Sequence, residues 1–220
     1  MKKMEKRTYE IIERKQETYD VVTLKFKKSF SYVPGQFITV YFLETGTPEG
    51  KSYSLSSAPH EDYASITVKA MGEFSNRLCA LRPGQTILAS PPYGFFWSES
   101  TDSDIVLLSS GVGIAPFRSM ALDSIARNSD RKILLFHSVR TRADILFKKE
   151  FESIPHTYFI TREEQRERMK PKQIIESLQD LNEPEFFLCG SISFVREMWI
   201  GLRENGVPEE VIYTEAFFSH

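Results

Sequence analysis

The periodicity of this chain changes near Ser98, and that change constrains the fold more than any other feature. Before it, apolar and polar residues alternate in short runs. Val22, Leu24 and Phe26 interleave with Thr23, Lys25 and Lys27, the period of a half-buried strand. Further β-rich runs cover 37–43, 52–57, 63–70 and 86–90. Turn residues separate them at Pro34-Gly35, Thr45 to Gly50 and Arg82-Pro83-Gly84. Short strands with regular turns predict a closed antiparallel barrel or a sandwich. One short helix is expected at 74–81.

The stretch SESTDSD at 98–104 is polar and reads as a linker. Beyond it apolar strands alternate with helical segments. Strands are expected at 105–108, 132–139, 157–160, 185–189 and 211–217. Helices are expected at 114–127, 143–153, 171–179 and 194–204, the last ending at Gly206. That alternation implies a doubly wound, mostly parallel α/β sheet. The two domains are expected at 1–99 and 104–220.

Two small cores fit within 220 residues. A net charge of -2 argues against general nucleic-acid binding, which runs on a large positive excess. No run approaches the roughly 18 apolar residues that span a bilayer. The basic opening segment has no apolar stretch behind it, so no secretory leader is expected. Two cysteines, Cys79 and Cys189, exclude a disulfide framework and a four-cysteine cluster within the chain. A cytoplasmic location is the simplest expectation.

The first strand of the second half runs into Ser109-Ser-Gly111-Val-Gly113-Ile-Ala-Pro116 and then a helix. Glycines there let backbone N–H groups approach a pyrophosphate, and the helix N-terminus favours its charge. A strand-to-helix turn without a ligand has the same outline. Ser138, Thr161-Arg162 and Cys189-Gly190 follow the next three strands, and Glu215 lies in the last. Ligands bind beyond the carboxyl ends of such strands, so these residues are expected on one edge beside the glycine turn.

In the first half, alternation puts Lys51, Tyr53 and Leu55 on one side of a strand and Ser52, Ser54 and Ser56 on the other. An aromatic ring stacks on planar heterocycles, and a lysine pairs with phosphate. Gly72-Glu-Phe74-Ser75-Asn76 opens the short helix, whose free N–H groups suit a second phosphate. Taken singly, Tyr53 reads as a packed barrel residue and Ser75 as a plain N-cap. His137 reads as a strand-end or core histidine. Phe95, Phe96 and Trp97 are expected to pack between the domains.

Together these segments resemble the ferredoxin–NADP reductase family. KSYSLSSAP looks like its Arg-x-Tyr-Ser flavin motif, and MGEFSNRLCALRPG its FAD pyrophosphate loop. GVGIAPFRS is similar to its pyridine-nucleotide loop, FLCGS to its Cys-Gly segment, and YTEAFF to its Glu-x-aromatic ending. The resemblance implies an N-terminal antiparallel Greek-key β-barrel that binds FAD and a C-terminal domain that binds NAD(P)H. It implies a reductase that passes hydride to bound FAD and electrons to a separate acceptor, such as a ferredoxin or oxygenase component.

Residue by residue, Tyr53 would stack on the flavin ring and Ser54 would sit near its N5. Lys51, Gly72, Phe74 and Ser75 would complete the FAD site. Gly111, Gly113 and Pro116 would form the NAD(P)H pyrophosphate turn, with Thr161 and Arg162 near the adenosine. Cys189 and Gly190 would lie beside nicotinamide C4, with Glu215 near the thiol. Phe217, or Phe218 instead, would cover the flavin. Ser54, Cys189 and Glu215 are the expected catalytic residues.

Lys51 stands where the family has arginine, which weakens the phosphate contact. That departure permits a free-flavin reductase as an alternative, and because fold alone does not imply activity a non-catalytic flavin- or nucleotide-binding sensor is another. Arg140, Arg142 and Arg162 point to NADPH, whereas Glu163 and Glu164 leave NADH open. REEQRERMK also reads as a solvated charge run.

Overall fold

The computed structural model describes residues 5–42, 50–98, 103–163, 168–178 and 183–217. Most of the 45–50 turn, residues 99–102 of the linker, Glu164, Gln179 and Phe218 lie outside the described residues. By contacts the chain forms two units. One takes in the chain up to Trp97 together with Ala115–Asp123, and the other takes in Ser98–Ile114 and the chain from Ser124.

The first unit is built on β1 (Arg7–Gln16), β2 (Val21–Lys27), β3 (Phe37–Tyr41), β4 (Lys51–Ser54), β5 (Tyr63–Lys69) and β6 (Thr86–Ala89), with α1 (Glu73–Cys79) before β6. The strands form one antiparallel sheet in the order β4-β3-β6-β1-β2-β5. A bridge between Leu55 and Ile66, with a Ser56 N–H to Ser65 O bond of 2.8 Å, joins the two ends and closes the barrel. Ile11, Leu24, Phe26, Ile38, Leu55 and Ile66 fill it and are fully buried.

β1 was not among the expected strands. Along it only Tyr9 and Ile11 are buried, and a register shift falls between Ile11 and Glu13. Its alternation is therefore two residues long, too short to be read beneath the charged side chains around it.

The second unit holds β7 (Ile105–Ser110), β8 (Ile133–Val139), β9 (His156–Ile160), β10 (Glu185–Ser191) and β11 (Ile212–Phe217). All pair in parallel, in the order β11-β10-β7-β8-β9. The order reverses between β7 and β10, the switch point of a doubly wound sheet. A 3-10 turn, Gly111–Ile114, leads into α2 (Ala115–Ala126), and α3 (Pro171–Glu176) and α4 (Ile192–Glu204) follow. Val195, Met198 and Leu202 of α4 pack with Val106, Leu108 and Leu188 of the strands. The Ser191 hydroxyl accepts the Phe194 N–H at 3.3 Å and caps α4, and Gly206 follows its C-cap at φ +89°.

The helix expected at 143–153 is absent. A 3-10 turn at Arg142–Asp144 ends at Ile145, which is extended, and Phe147 is left-handed at φ +54°. Leu146 and Phe147 are consecutive and both buried, along with Phe151 and Ile154. A helix turns consecutive residues about 100° apart, so burial of the pair is met by an irregular turn instead. Phe95 also departs from expectation. It is 87% exposed and stacks on Trp97, while Phe96 is buried against Phe117 inside the first unit. Among the described residues no helix is long and apolar enough to cross a membrane.

Candidate functional site

In the second unit the cross-strand register sets five polar residues in one row. Glu215 pairs with Cys189, Cys189 with Ser109, Ser109 with His137, and His137 with Tyr158. Registered neighbours in a parallel sheet share a face. The row lies one residue short of the end of β7 and two short of the end of β10, at the carboxyl edge where the glycine turn begins.

Gly113 is required there by packing. A Cβ on it would stand 2.3 Å from the Cys189 carbonyl oxygen, 2.6 Å from its carbon and 2.8 Å from Gly190 Cα. The absence of a side chain is what lets the turn after β7 lie on the end of β10. Gly111 has φ +54° and faces open space, with nothing within 4 Å of an added Cβ. Together they make a backbone turn closed on its sheet side and open outward, at the start of α2. First-turn N–H groups lack intrahelical acceptors, so the turn fits a pyrophosphate. Pro116, buried at the second position of α2, takes away a donor the helix does not need.

Cys189 is fully buried. Burial, and then Glu215, raise its pKa well above the ordinary thiol value, so the side chain is a neutral thiol. His137 is also fully buried and makes a 2.7 Å hydrogen bond between Nδ1 and Ser109 Oγ. Desolvation pushes its pKa down to about 4, so the ring is uncharged at neutral pH. The expected core reading of His137 agrees with this burial.

At the ends of β8 and β9 the arginines meet carboxylates. Glu163 accepts from the Arg142 backbone N–H at 2.7 Å and lies 3.2 Å from Arg142 Nε. Asp144 takes the Thr141 N–H and hydroxyl, both at 2.9 Å, and stands 3.8 Å from Arg140. The Thr161 hydroxyl donates to Val139 O at 3.1 Å, and Arg162 is exposed. The charge of this corner is thus partly balanced internally, which the sequence alone did not show.

In the first unit, β4 presents Lys51 and Tyr53 half-buried and Ser54 buried. The Tyr53 ring packs against the barrel core, and burial raises its pKa, so the phenol is neutral. Lys51 Nζ stands 5.9 Å from the centroid of the Phe74 ring. Phe74 is 3% exposed and packs on Phe42 at 4.8 Å, so its side chain belongs to the core and only its backbone can face a ligand. Gly72, not Ser75, is the N-cap of α1. The Ser75 hydroxyl accepts the N–H groups of Met71 (2.9 Å) and Gly72 (3.1 Å), bracing the turn. The N–H groups left for a phosphate are those of the first turn after Gly72.

Behind β4 lies a buried ladder of hydroxyls that the motifs did not reveal. Ser56 Oγ bonds Ser65 Oγ and Thr67 Oγ1, both at 2.9 Å, and Thr67 Oγ1 meets Thr23 Oγ1 at 3.0 Å. Tyr32 OH meets Ser57 Oγ at 2.8 Å. Arg118 of α2, counted with this unit, forks onto Glu61 at 2.8 and 3.1 Å and donates to Ser56 O at 2.8 Å. The alternating hydroxyls were legible in the sequence, but nothing marked Arg118 as the partner of the Ser56 carbonyl and Glu61. Phe217 ends β11 half-buried, paired in register with Ser191.

A glycine turn entering a helix at the switch point of a parallel sheet is the outline of a dinucleotide-binding domain. The sequence model of the oxidoreductase NAD-binding domain matches residues 107–198. The chain has the two-domain fold of the ferredoxin–NADP reductase-like proteins. It is 30% identical to Flavohemoprotein A of Dictyostelium discoideum, with 94% of this chain and 59% of that protein covered. It is 30% identical to the ferredoxin reductase component of 3-ketosteroid-9-alpha-monooxygenase from Rhodococcus rhodochrous, over 93% of this chain and 63% of that one. The chain thus spans about three fifths of the length of these curated relatives. In fold it is similar to a ferredoxin NADP+ reductase from Neisseria gonorrhoeae solved with FAD and NADP, with a TM-score of 0.82 at 22% identity, covering 98% of this chain and 100% of that one.

Proposed function

We propose that this chain is a reductase that takes hydride from NAD(P)H onto a bound FAD and passes the electrons to a separate acceptor. The observation that carries the reading is the seating of Gly113 on the backbone of Cys189-Gly190. That contact brings the nucleotide turn and the Cys-Gly segment to one edge, beside Glu215. The barrel motif carries the flavin segment, with Tyr53 and Ser54 on β4 and the phosphate turn at Gly72.

FAD, when bound, supplies the redox chemistry, and the protein supplies position and electrostatics. The turn at Gly111–Gly113 and the first N–H groups of α2 bind the nucleotide pyrophosphate. The neutral Cys189 thiol gives the nicotinamide ring a close, uncharged neighbour, and Glu215 sets the local charge. Tyr53 offers a ring face to the flavin and Ser54 a hydroxyl near its reacting edge. Lys51, first-turn N–H groups of α1 and the Ser75-braced loop hold the FAD phosphates. Phe217, by the family resemblance, would cover the flavin until the nicotinamide displaces it.

NADPH is the preferred donor in this reading. Arg140, Arg142 and Arg162 outnumber Asp144 and Glu163 at the corner where a ribose 2′-phosphate lies. The acceptor is a separate redox protein, a reading supported by the likeness to the Rhodococcus protein named as a ferredoxin reductase component of a monooxygenase. Both cysteines are free and buried, which suits a reducing, cytoplasmic compartment.

Ser54→Ala and Cys189→Ala test the site. Each is expected to slow stopped-flow flavin reduction by about tenfold or more while FAD stays bound. Rates within twofold of the parent in both would remove the roles assigned to them.

A further inference from the structure

The Arg118–Glu61 pair has no task in the reading above, yet it sits against the flavin strand. Its groups are 12% and 16% exposed. Glu61 is fully engaged: it accepts both Arg118 nitrogens, the Ala58 N–H at 2.7 Å and the Tyr63 hydroxyl at 2.5 Å. Those donors hold its carboxyl below the usual range, against the upward pull of burial. The turn that carries it is also gripped by Lys28, which donates to Pro59 O at 2.8 Å.

A further Arg118 contact is the informative one. Its Nη1 donates to the carbonyl of Ser56, two residues past Ser54. The same short segment is pinned at Leu55 N–H by Gln36 O (2.9 Å) and at Ser56 N–H by Ser65 O (2.8 Å). The Ser56 hydroxyl is held by Ser65 and Thr67. β4 itself is four residues long, paired at Phe37↔Ser54 and Val40↔Lys51. Four paired residues leave the strand end little stiffness of its own, so the groups just beyond it set where Tyr53 and Ser54 stand. A planar fork fixed on a carboxylate supplies an orientation that an ammonium cannot.

The geometry points to Arg118 as a positioning residue for the flavin-facing end of β4, acting through the Ser56 carbonyl and braced by Glu61. The inference rests on the reductase reading and adds a residue to it. Arg118 touches neither the flavin nor the nucleotide in this scheme. It keeps the Tyr53–Ser54 pair in the alignment that hydride acceptance needs, where small misplacements cost large factors in rate.

Three variants test it: Arg118→Lys, Glu61→Gln, and the double exchange Arg118→Met with Glu61→Met. The double variant keeps the fold if the single changes do not, because a paired ion pair replaced by apolar groups of similar size is well tolerated. In FAD-loaded protein each is expected to lower the flavin reduction rate about tenfold, with the nucleotide KM within about twofold. Amide hydrogen exchange at Leu55–Ala58, read in protein without FAD, is expected to rise by about tenfold or more. A purely structural pair would lower the melting temperature and leave rate and local exchange unchanged, and that result overturns the proposal. If the parent protein fails to reduce flavin with either nucleotide, the reductase reading falls. The exchange measurement then still decides whether Arg118 positions this segment.

Discussion

The two units each carry a glycine turn suited to a phosphate, and the turns are glycine for different reasons. Gly113 is glycine because another chain segment occupies the space of its side chain, at 2.3 Å. Gly72 has extended backbone and nothing within 4 Å of an added Cβ, so its surroundings would accept a side chain. The first glycine is a packing requirement that joins two strand ends, and the second leaves a helix start uncovered. Motif matching treats them alike, whereas the structure separates the glycine that builds the site from the one that only clears it.

The polar interiors of the two units each hold both paired and unpaired groups. The barrel's Ser56, Ser65, Thr67 and Thr23 hydroxyls are bonded to one another. Among the described residues, Tyr9 OH and Ser119 Oγ in the first unit and His137 Nε2 and Tyr158 OH in the parallel sheet are buried without a hydrogen-bond partner. A satisfied ladder rigidifies, and each unpaired buried group carries a cost.

The glycine comparison can be broken by substitution. Gly113→Ala is expected to cost about 3 kcal/mol or more in urea unfolding, because its Cβ meets backbone that cannot swing away. Gly72→Ala is expected to change stability by less than about 0.5 kcal/mol. Equal costs for the two would mean that the Cys189–Gly113 packing is looser than described.

The polar-row comparison is sharpened by acid. His137 titrates near 6.5 when unfolded and near about 4 when folded. Between those values the unfolded chain binds the extra proton, so stability rises with pH across the window. Acidification from pH 6.5 to 4 should therefore remove about 3 kcal/mol through this residue, levelling off below. His137→Asn should flatten that part of the profile, and an unchanged profile would show the histidine to be solvated in the native state.

A smaller effect concerns the donor. Arg162→Ala is expected to raise KM for NADPH by about tenfold, the loss of one charge-assisted phosphate contact, and to leave KM for NADH nearly unchanged. Steady-state kinetics with both nucleotides reads this directly, and equal shifts would move the 2′-phosphate away from Arg162.

Much of this was legible in the residues. The parallel strands are near-continuous apolar runs, and the glycine turn sits where strand becomes helix, so the second fold could be read by period alone. β1 could not, because a bulge cuts its alternation after Tyr9 and Ile11. The 143–153 segment misled because its apolar spacing mimics a helix while Leu146 and Phe147 are buried side by side. Phe74 looked like a ligand residue because it lies in a motif, but its ring completes the barrel core. Arg118 and Glu61 are 57 residues apart, and no local pattern announces such a pair.

The central claim is that this chain carries hydride from a nicotinamide nucleotide to FAD. Protein reconstituted with FAD, freed of excess by gel filtration and titrated anaerobically with NADPH, tests it most directly. The account predicts a retained yellow colour and loss of the flavin absorption band at about one nucleotide per flavin, with NADH less effective. A retained flavin that neither nucleotide bleaches would contradict it.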